Sequence, residues 1–308
     1  MRYLGSKESY AKEILTITQA QQKSDQVYVE PMVGGGNIIC RAIGPRIGND
    51  LNWRIVAMLD ALGNKGWVPP AKMTEKEYLK IKDSPDSFDP ELVALAATGL
   101  SFGGVWFSAF AKDKQGKRNY CQESYNNALD MIQGLRGVKF YSMRYEEFTP
   151  LIPPESIVYC DPPYAGTTGY GGAKTDVNIG ESLSLNTWNR SAFWRWADNL
   201  VLAGHKVFVS EYNGPPPAIY QESSDLKAEK AEWAARFKKL QTDQKSKRED
   251  REQAARVIKD VEARIKQDRE RIAAKWQVMW EKEVISSFDS GRGEEGKREV
   301  EKLFHRAP

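Results

Sequence analysis

Ser156-Ile157-Val158-Tyr159-Cys160-Asp161-Pro162-Pro163-Tyr164 is an apolar run that stops abruptly in an acid, two prolines and an aromatic. The run without charge reads as a buried strand of a parallel sheet. Prolines lack the N–H that a ladder needs, so Asp161 and Tyr164 are expected in a loop at the strand's carboxyl end. In open α/β sheets that edge is where ligands bind. The Asp161 carboxylate and the carbonyls of Asp161 and Pro162 make a cluster of acceptors, because prolines add carbonyls without adding donors. Such a cluster suits an exocyclic amino group, and Tyr164 offers a flat face for a nucleobase. A blander reading is a strand-ending turn capped by Asp161 and stiffened by Pro162 and Pro163. The stretch alone does not choose between them.

Upstream, Gln26-Val27-Tyr28-Val29-Glu30 reads as a strand broken by Pro31-Met32-Val33-Gly34-Gly35-Gly36-Asn37, and Ile38 to Ile43 reads as the start of a helix. Strand, glycine turn and helix N-terminus form a cradle in which backbone amides approach a nucleotide-like ligand. The glycine spacing is neither that of a dinucleotide fingerprint nor that of a P-loop. A second strand is expected over Arg46 to Asp50. Its terminal acid either takes the hydroxyls of a ribose or caps the helix that follows. Lys7, beside Gly5 and Ser6, reads in isolation as a surface lysine.

Composition narrows the class. A chain of 308 residues can bury a full α/β core with room for an additional element. A net charge of +3 permits nucleic acid as a partner without demanding it. Three cysteines (Cys40, Cys121, Cys160) without a CxxC pair, and only two histidines, argue against a disulfide framework or a zinc site. A reducing cytoplasm fits that usage. The first residues lack an apolar signal core, and no long apolar span occurs, so a soluble, cytoplasmic protein with no membrane partner is expected.

The separate motifs occur in a telling order: Tyr3-Leu4-Gly5-Ser6-Lys7, Glu30-Pro31-Met32-Val33-Gly34-Gly35-Gly36, Asn49-Asp50-Leu51-Asn52 and Asp161-Pro162-Pro163-Tyr164. Val207-Phe208-Val209-Ser210-Glu211-Tyr212-Asn213 and Val300-Glu301-Lys302-Leu303-Phe304 continue the series. Over roughly residues 1–213 and 276–306 the chain resembles the Dam-type DNA adenine N6-methyltransferases, phage and prophage members in particular. The resemblance implies an α/β fold with a Rossmann-like seven-stranded methyltransferase sheet. The strands would be Val27–Glu30, Arg46–Asp50, Val138–Ser142, Ile157–Cys160, Lys206–Glu211 and an antiparallel pair, Trp276–Ser287 and Glu299–His305. Asp161 would lie beside the strand carrying Glu30. The implied cofactor is S-adenosyl-L-methionine, held by Tyr3, Gly5, Lys7, Glu30, Pro31, Met32, Gly34, Gly36, Asp50 and Asp161. Asp161, Pro162, Pro163 and Tyr164 would carry catalysis on a flipped adenine in DNA. A phage-encoded member would work in the host-cell cytoplasm. The chain departs from the family at the end of the third strand, where Arg144 replaces an acid that helps hold the cofactor's adenine end. Glu146 is the candidate substitute. Methylation of cytosine N4 or of an RNA amine, and a non-catalytic DNA-binding or scaffolding role, stand as alternative functions.

The domain boundaries expected are 1–62, 138–214 and 276–308 for the catalytic unit, with 63–137 and 215–275 inserted. The first insertion is where the family places target recognition. In it Ser101-Phe102-Gly103-Gly104-Val105-Trp106-Phe107 precedes a basic loop of Lys112, Lys114, Lys117, Arg118 and Tyr120, a set suited to phosphate contact with base stacking. In the competing reading the aromatics form a small core and the lysines are solvated. After Tyr164, Ala165 to Gly172 is glycine-rich and expected to be mobile until substrate binds. Asn186 or Thr187 is the expected cap of the next helix, with Phe193, Trp196 and Leu200 on its core face. From Asp225 to Lys275 there are 16 Lys/Arg and 11 Asp/Glu, a net +5 that leaves −2 for the remaining chain. Leu226, Trp233, Phe237 and Leu240 make one apolar stripe, and Ile258, Val261, Ile265 and Ile272 another. Between them lies a polar stretch with a capping-box pattern, Ser246 to Glu249, which favours a helical hairpin over one long helix. The hairpin is a candidate for DNA clamping or homodimerisation, although a charge run is usually a solvated face.

Overall fold

The computed structural model describes residues 1–20, 22–113, 115–163, 188–212, 224–242, 248–273, 276–285 and 298–306. Its centre is a mixed seven-stranded sheet: β1 (Tyr28–Glu30), β2 (Arg46–Asn49), β3 (Lys139–Tyr141), β4 (Ile157–Cys160), β5 (Lys206–Glu211), β6 (Gln277–Ile285) and β7 (Arg298–Arg306). The order across the sheet is β3-β2-β1-β4-β5-β7-β6. The first five strands run parallel, and β7 is antiparallel to both β5 and β6. This α/β arrangement is compatible with a Rossmann-like fold. Every expected strand forms, with its ends within two residues of the expected bounds.

The central strands β1 and β4 are buried along their whole length, β4 as an uninterrupted apolar run and β1 down to the carboxylate of Glu30. From β1 the chain crosses to β2 on one side, while β4 pairs β1 on the other, with Tyr28 opposite Ile157 and Val29 opposite Val158. The carboxyl ends of β1 and β4 therefore flank the switch point of the sheet, and Glu30 and Asp161 meet there.

Helices cover both faces. On one lie α1 (Ala11–Thr18), α2 (Trp53–Asn64), α3 (Glu75–Asp83), α4 (Pro90–Ala94) and α5 (Tyr120–Leu135). Their buried side chains, among them Met58 and Leu59 of α2, Tyr78 and Ile81 of α3 and Met131 of α5, form one core with Tyr28 and Tyr159 of the sheet. Residues 63–137 thus share the core of the sheet. Helix α4 runs into a π-helical turn, Leu95–Gly99, whose Gly99 carbonyl accepts from the Ser124 hydroxyl at 2.7 Å. On the other face α6 (Tyr145–Phe148) and α7 (Arg190–Leu202) pack Phe148, Phe193, Trp194, Trp196 and Leu200 against Val158, Val209, Trp276 and Phe304. The expected core face of α7 is present. Its cap is Asn189, whose side chain accepts from the Ala192 N–H at 2.9 Å; Asn186 and Thr187 lie outside the described residues.

Helices α8 (Ser224–Thr242) and α9 (Arg248–Ala273) pack against each other, so the segment is a hairpin and not a single helix. Ala254 and Val261 are buried, and Lys230–Glu262 at 2.8 Å and Arg264–Glu229 at 3.2 Å link the two helices. Ser246 of the expected capping box lies outside the described residues. No helix among the described residues is long and apolar enough to cross a membrane.

Candidate active site

The glycine turn after β1 is the floor of the site. Gly34 and Gly36 have φ of +48° and +73°, a region that side-chain-bearing residues rarely adopt. Across the turn lies Tyr3: a Cβ added at Gly35 would come within 2.7 Å of the Tyr3 Cβ. The helix expected from Ile38 does not form. Residues 37–42 instead make consecutive turns, with Cys40 N–H donating to the Gly36 carbonyl and Ala42 N–H to that of Ile38. The chain must reach Gly44 (φ +77°) and Pro45 to start β2, which leaves too few residues for a helix to repay its nucleation.

Asp50 closes the turn from the end of β2. One carboxylate oxygen accepts from Gly34 N–H and the other from Asn52 N–H, both at 2.9 Å. Burial raises its pKa, and the N–H donors partly oppose that. Asp50 is not the helix cap: Asn52 caps α2 by accepting from Arg54 and Ile55 N–H. Asn49 and Asn37, to which the sequence assigned no role of their own, are the other fasteners. The Asn49 amide donates to the carbonyls of Pro31 (2.9 Å) and Met143 (3.0 Å) and accepts from Met143 N–H (3.2 Å), stitching together the ends of β1, β2 and β3. The Asn37 amide donates to Met1 O (2.8 Å) and Ser6 Oγ (2.7 Å), which fastens the first residues over the turn. Pro31 is buried, and Met32 packs half-buried against the α7 side of the sheet.

Lys7 is not a surface lysine. Its buried ammonium donates to the Gly5 carbonyl at 2.9 Å, pairs with Asp161 Oδ1 at 3.1 Å and lies 3.8 Å from Glu301 of β7. Burial works against the charge, but Asp161 and Glu301 outweigh it and hold the Lys7 pKa above its ordinary value. Asp161 keeps 24 % of its side chain exposed, with Pro162 buried behind it and Pro163 half-buried. Beside it Glu30 is 2 % exposed, and among the described residues its Oε1 meets no well-formed hydrogen bond, with the Tyr28 hydroxyl the donor that eases its charge. Burial first, and the Asp161 charge second, push the Glu30 pKa well above the carboxylate range. Farther along the edge, Glu211 accepts from Arg190 Nε at 3.0 Å and from Tyr212 N–H at 3.1 Å. Tyr164 and the glycine-rich stretch after it lie outside the described residues.

The segment from Ser101 to Phe110 closes one side. Ser101 bridges Phe110, and the Gly104 carbonyl accepts from Leu4 N–H at 3.2 Å, which sets this loop against the Tyr3–Lys7 segment. The aromatics divide: Trp106 and Phe107 are buried, and Phe102 is 67 % exposed. In the basic loop Asp113 accepts from the N–H groups of Gln115, Lys117 and Arg118 and fixes its turn. Lys112 pairs with Glu75, and Arg118 grips Glu123 through two bonds of 2.9 and 2.7 Å. Arg2 and Arg118 stack on Tyr120 at 4.2 and 4.8 Å. Lys117 is exposed, without an ion pair among the described residues; Lys114 lies outside them. Arg144 and Glu146 pair with one another at 3.4 Å at the end of β3.

Taken together, two acids, Asp161 and Glu301, flank the Lys7 ammonium at the carboxyl edge of the sheet, and a third, Glu30, lies beside Asp161. An orphaned buried carboxylate oxygen next to a close-approach glycine turn fits a cationic, nucleotide-like ligand. The exposed part of Asp161 and the Pro162 carbonyl fit a neutral amine. No protein-family model matches the chain, and comparison with curated proteins also finds no match.

Proposed function

We propose that the chain transfers the methyl group of S-adenosyl-L-methionine to N6 of an adenine flipped out of DNA. The observation that carries the reading is the carboxylate pair Glu30 and Asp161 at the carboxyl ends of adjacent strands, one orphaned and buried, the other partly open and steadied by Lys7. The seven-stranded sheet with an antiparallel final pair, and Asp161 beside the strand carrying Glu30, supports the same reading, because the resemblance implied both features.

When bound, S-adenosylmethionine supplies an electrophilic methyl group on a sulfonium. Glu30 would take the ligand's ammonium, whose charge lowers the carboxyl pKa back towards its ordinary range. Asp50 retains lone pairs for ribose hydroxyls while its N–H partners hold it in place. The glycine turn lets backbone reach the ligand closely. Asp161 and the Pro162 carbonyl accept the two amino hydrogens of adenine and so orient the nitrogen lone pair. Catalysis is then chiefly positioning, which aligned groups supply without a covalent enzyme intermediate. Tyr164 is assigned by the resemblance to stack on the base. Phe102, exposed beside Gly103 and Gly104, and the Lys112–Arg118 loop are assigned to the duplex. The α8–α9 hairpin is assigned an accessory role in clamping DNA or pairing two copies.

The direct test incubates the protein with duplex DNA and methyl-labelled S-adenosylmethionine, then digests the DNA to nucleosides for mass spectrometry. Label in N6-methyladenine is expected. Label in N4-methylcytosine, or in no nucleoside, refutes the reading.

A further inference from the structure

The carboxyl-terminal hairpin reaches across the sheet to the amino-terminal segment. The Tyr10 ring lies 5.5 Å from that of Trp280 on β6, and Lys282 Nζ sits 5.0 Å over the Tyr10 ring. Glu301 on β7 is registered opposite Lys282 and buried, and its carboxylate comes within 3.8 Å of Lys7 Nζ. The Lys7 ammonium therefore stands between two carboxylates from distant parts of the chain, Asp161 after β4 and Glu301 in β7. Coulomb attraction falls as 1/r, so Glu301 at 3.8 Å exerts about four-fifths of the attraction that Asp161 exerts at 3.1 Å. That balance matters for a group that must also accept hydrogen bonds from a substrate.

We propose that Glu301 is a positioning residue for the methyl transfer, acting through Lys7: by sharing the ammonium, it keeps Asp161 oriented but still able to accept a substrate amine. This rests on the function proposed above. Without the charge at 301, Asp161 exerts a larger share of the attraction on the ammonium, which is drawn closer to it and occupies lone pairs meant for the amine. Among the described residues, the titratable groups that act on Lys7 include Asp161 from the β4 loop, Glu301 from β7 and Tyr10 from its own segment, with Glu30 of β1 beyond Asp161. A charge change at 301 is therefore felt first at Lys7.

The test compares the full-length protein with Glu301→Gln and Glu301→Asp through two readouts. In the first, lysines labelled at Cε are followed by NMR through the alkaline range to the highest pH at which the fold persists, with Lys7 assigned by the loss of its signal in Lys7→Arg. Lys7 should titrate at least about one unit lower in Glu301→Gln and within a few tenths of wild type in Glu301→Asp. An unmoved Lys7 in Glu301→Gln overturns the proposal, whether or not the chain methylates DNA. In the second, Glu301→Gln should lower kcat about 10- to 100-fold with KM for DNA and the Kd for S-adenosylmethionine within about threefold, and Glu301→Asp should recover most of the loss. A raised KM at constant kcat, or equal loss in Asp and Gln, marks a merely structural acid and also overturns it. If no variant, wild type included, transfers methyl while Lys7 still shifts, the coupling stands and the methyl-transfer reading falls.

Discussion

Replacing Glu30 by glutamine is expected to stabilise the free protein while removing its affinity for S-adenosylmethionine. Glu30 is buried, its Oε1 has no hydrogen bond among the described residues, and it lies beside the Asp161 charge. Leaving a buried acceptor unsatisfied costs about 1–3 kcal/mol, and more when it is charged. An amide of nearly the same shape is neutral without having to take up a proton on folding, so a gain of about 1–3 kcal/mol near neutral pH follows. With an unfolding entropy of about 2 cal/mol/K per residue over roughly 300 residues, that gain raises Tm by about 2–5 °C. The effect must depend on pH. Because the folded pKa of Glu30 is raised, its contribution to wild-type stability is intact below the unfolded value near pH 4.3 and is lost as pH rises towards the folded pKa. The advantage of the glutamine variant should therefore be nearly absent at about pH 4 and widen towards neutrality. Scanning calorimetry from pH 4 to pH 8 measures it, and titration calorimetry measures the lost cofactor affinity. A variant that melts below wild type at neutral pH, or a difference that ignores pH, would refute the reasoning that Glu30 is an acid whose ionisation is penalised by burial until a cation binds.

Asp161→Ala should reduce methyl transfer by at least about 10³-fold while S-adenosylmethionine binding, measured by calorimetry, stays within a few-fold, because the carboxylate is assigned to the amine. Retained transfer removes Asp161 from the mechanism. Lys117→Ala should weaken DNA binding evenly across sequences and reduce the slope of log K against log salt by about 0.9, with a smaller change for Lys112→Ala. The difference follows from geometry: Lys112 is already paired with Glu75, whereas Lys117 has no ion pair among the described residues. Equal slopes in the two variants would contradict it. Gly134→Ala should destabilise by about 3 kcal/mol or more in denaturant titrations, because its Cβ would come 1.8 Å from the Cys40 backbone oxygen and α5 would have to move off the turns after β1.

Strands β1 and β4 were legible because buried parallel strands leave apolar runs with abrupt ends, whereas β3 and β5 came through the resemblance. Ile157–Cys160 stops at Asp161-Pro162, and Tyr28–Glu30 stops at Pro31. The antiparallel β6 and β7 were less distinct in composition and came into view through the resemblance. The expected helix at Ile38 failed for a reason periodicity does not encode: an apolar hexapeptide can be helix or turn, and the distance to the next strand decided it. Asn49 and Asn37 were illegible because an asparagine near a strand end looks the same whether it is solvated or bridges three loops. Arg118 read as a free cation, and only the fold brings Glu123 of α5 within two hydrogen bonds of it.

The site's assembly explains why its lysine read so poorly. Lys7 comes from the first turn of the chain, Asp161 from the centre and Glu301 from the final strand, so no local window contains the balance of charge. Burying one ammonium is costly, and burying it among acids is tolerable only when geometry fixes all of them. The Gly5 carbonyl, the turn gripped by Asn37 and the Tyr10–Trp280 contact supply that fixing. The antiparallel hairpin at the sheet's edge therefore does more than extend the sheet. It carries the second acid to the switch point, and the central strands could not hold Lys7 against Asp161 in the same way without it.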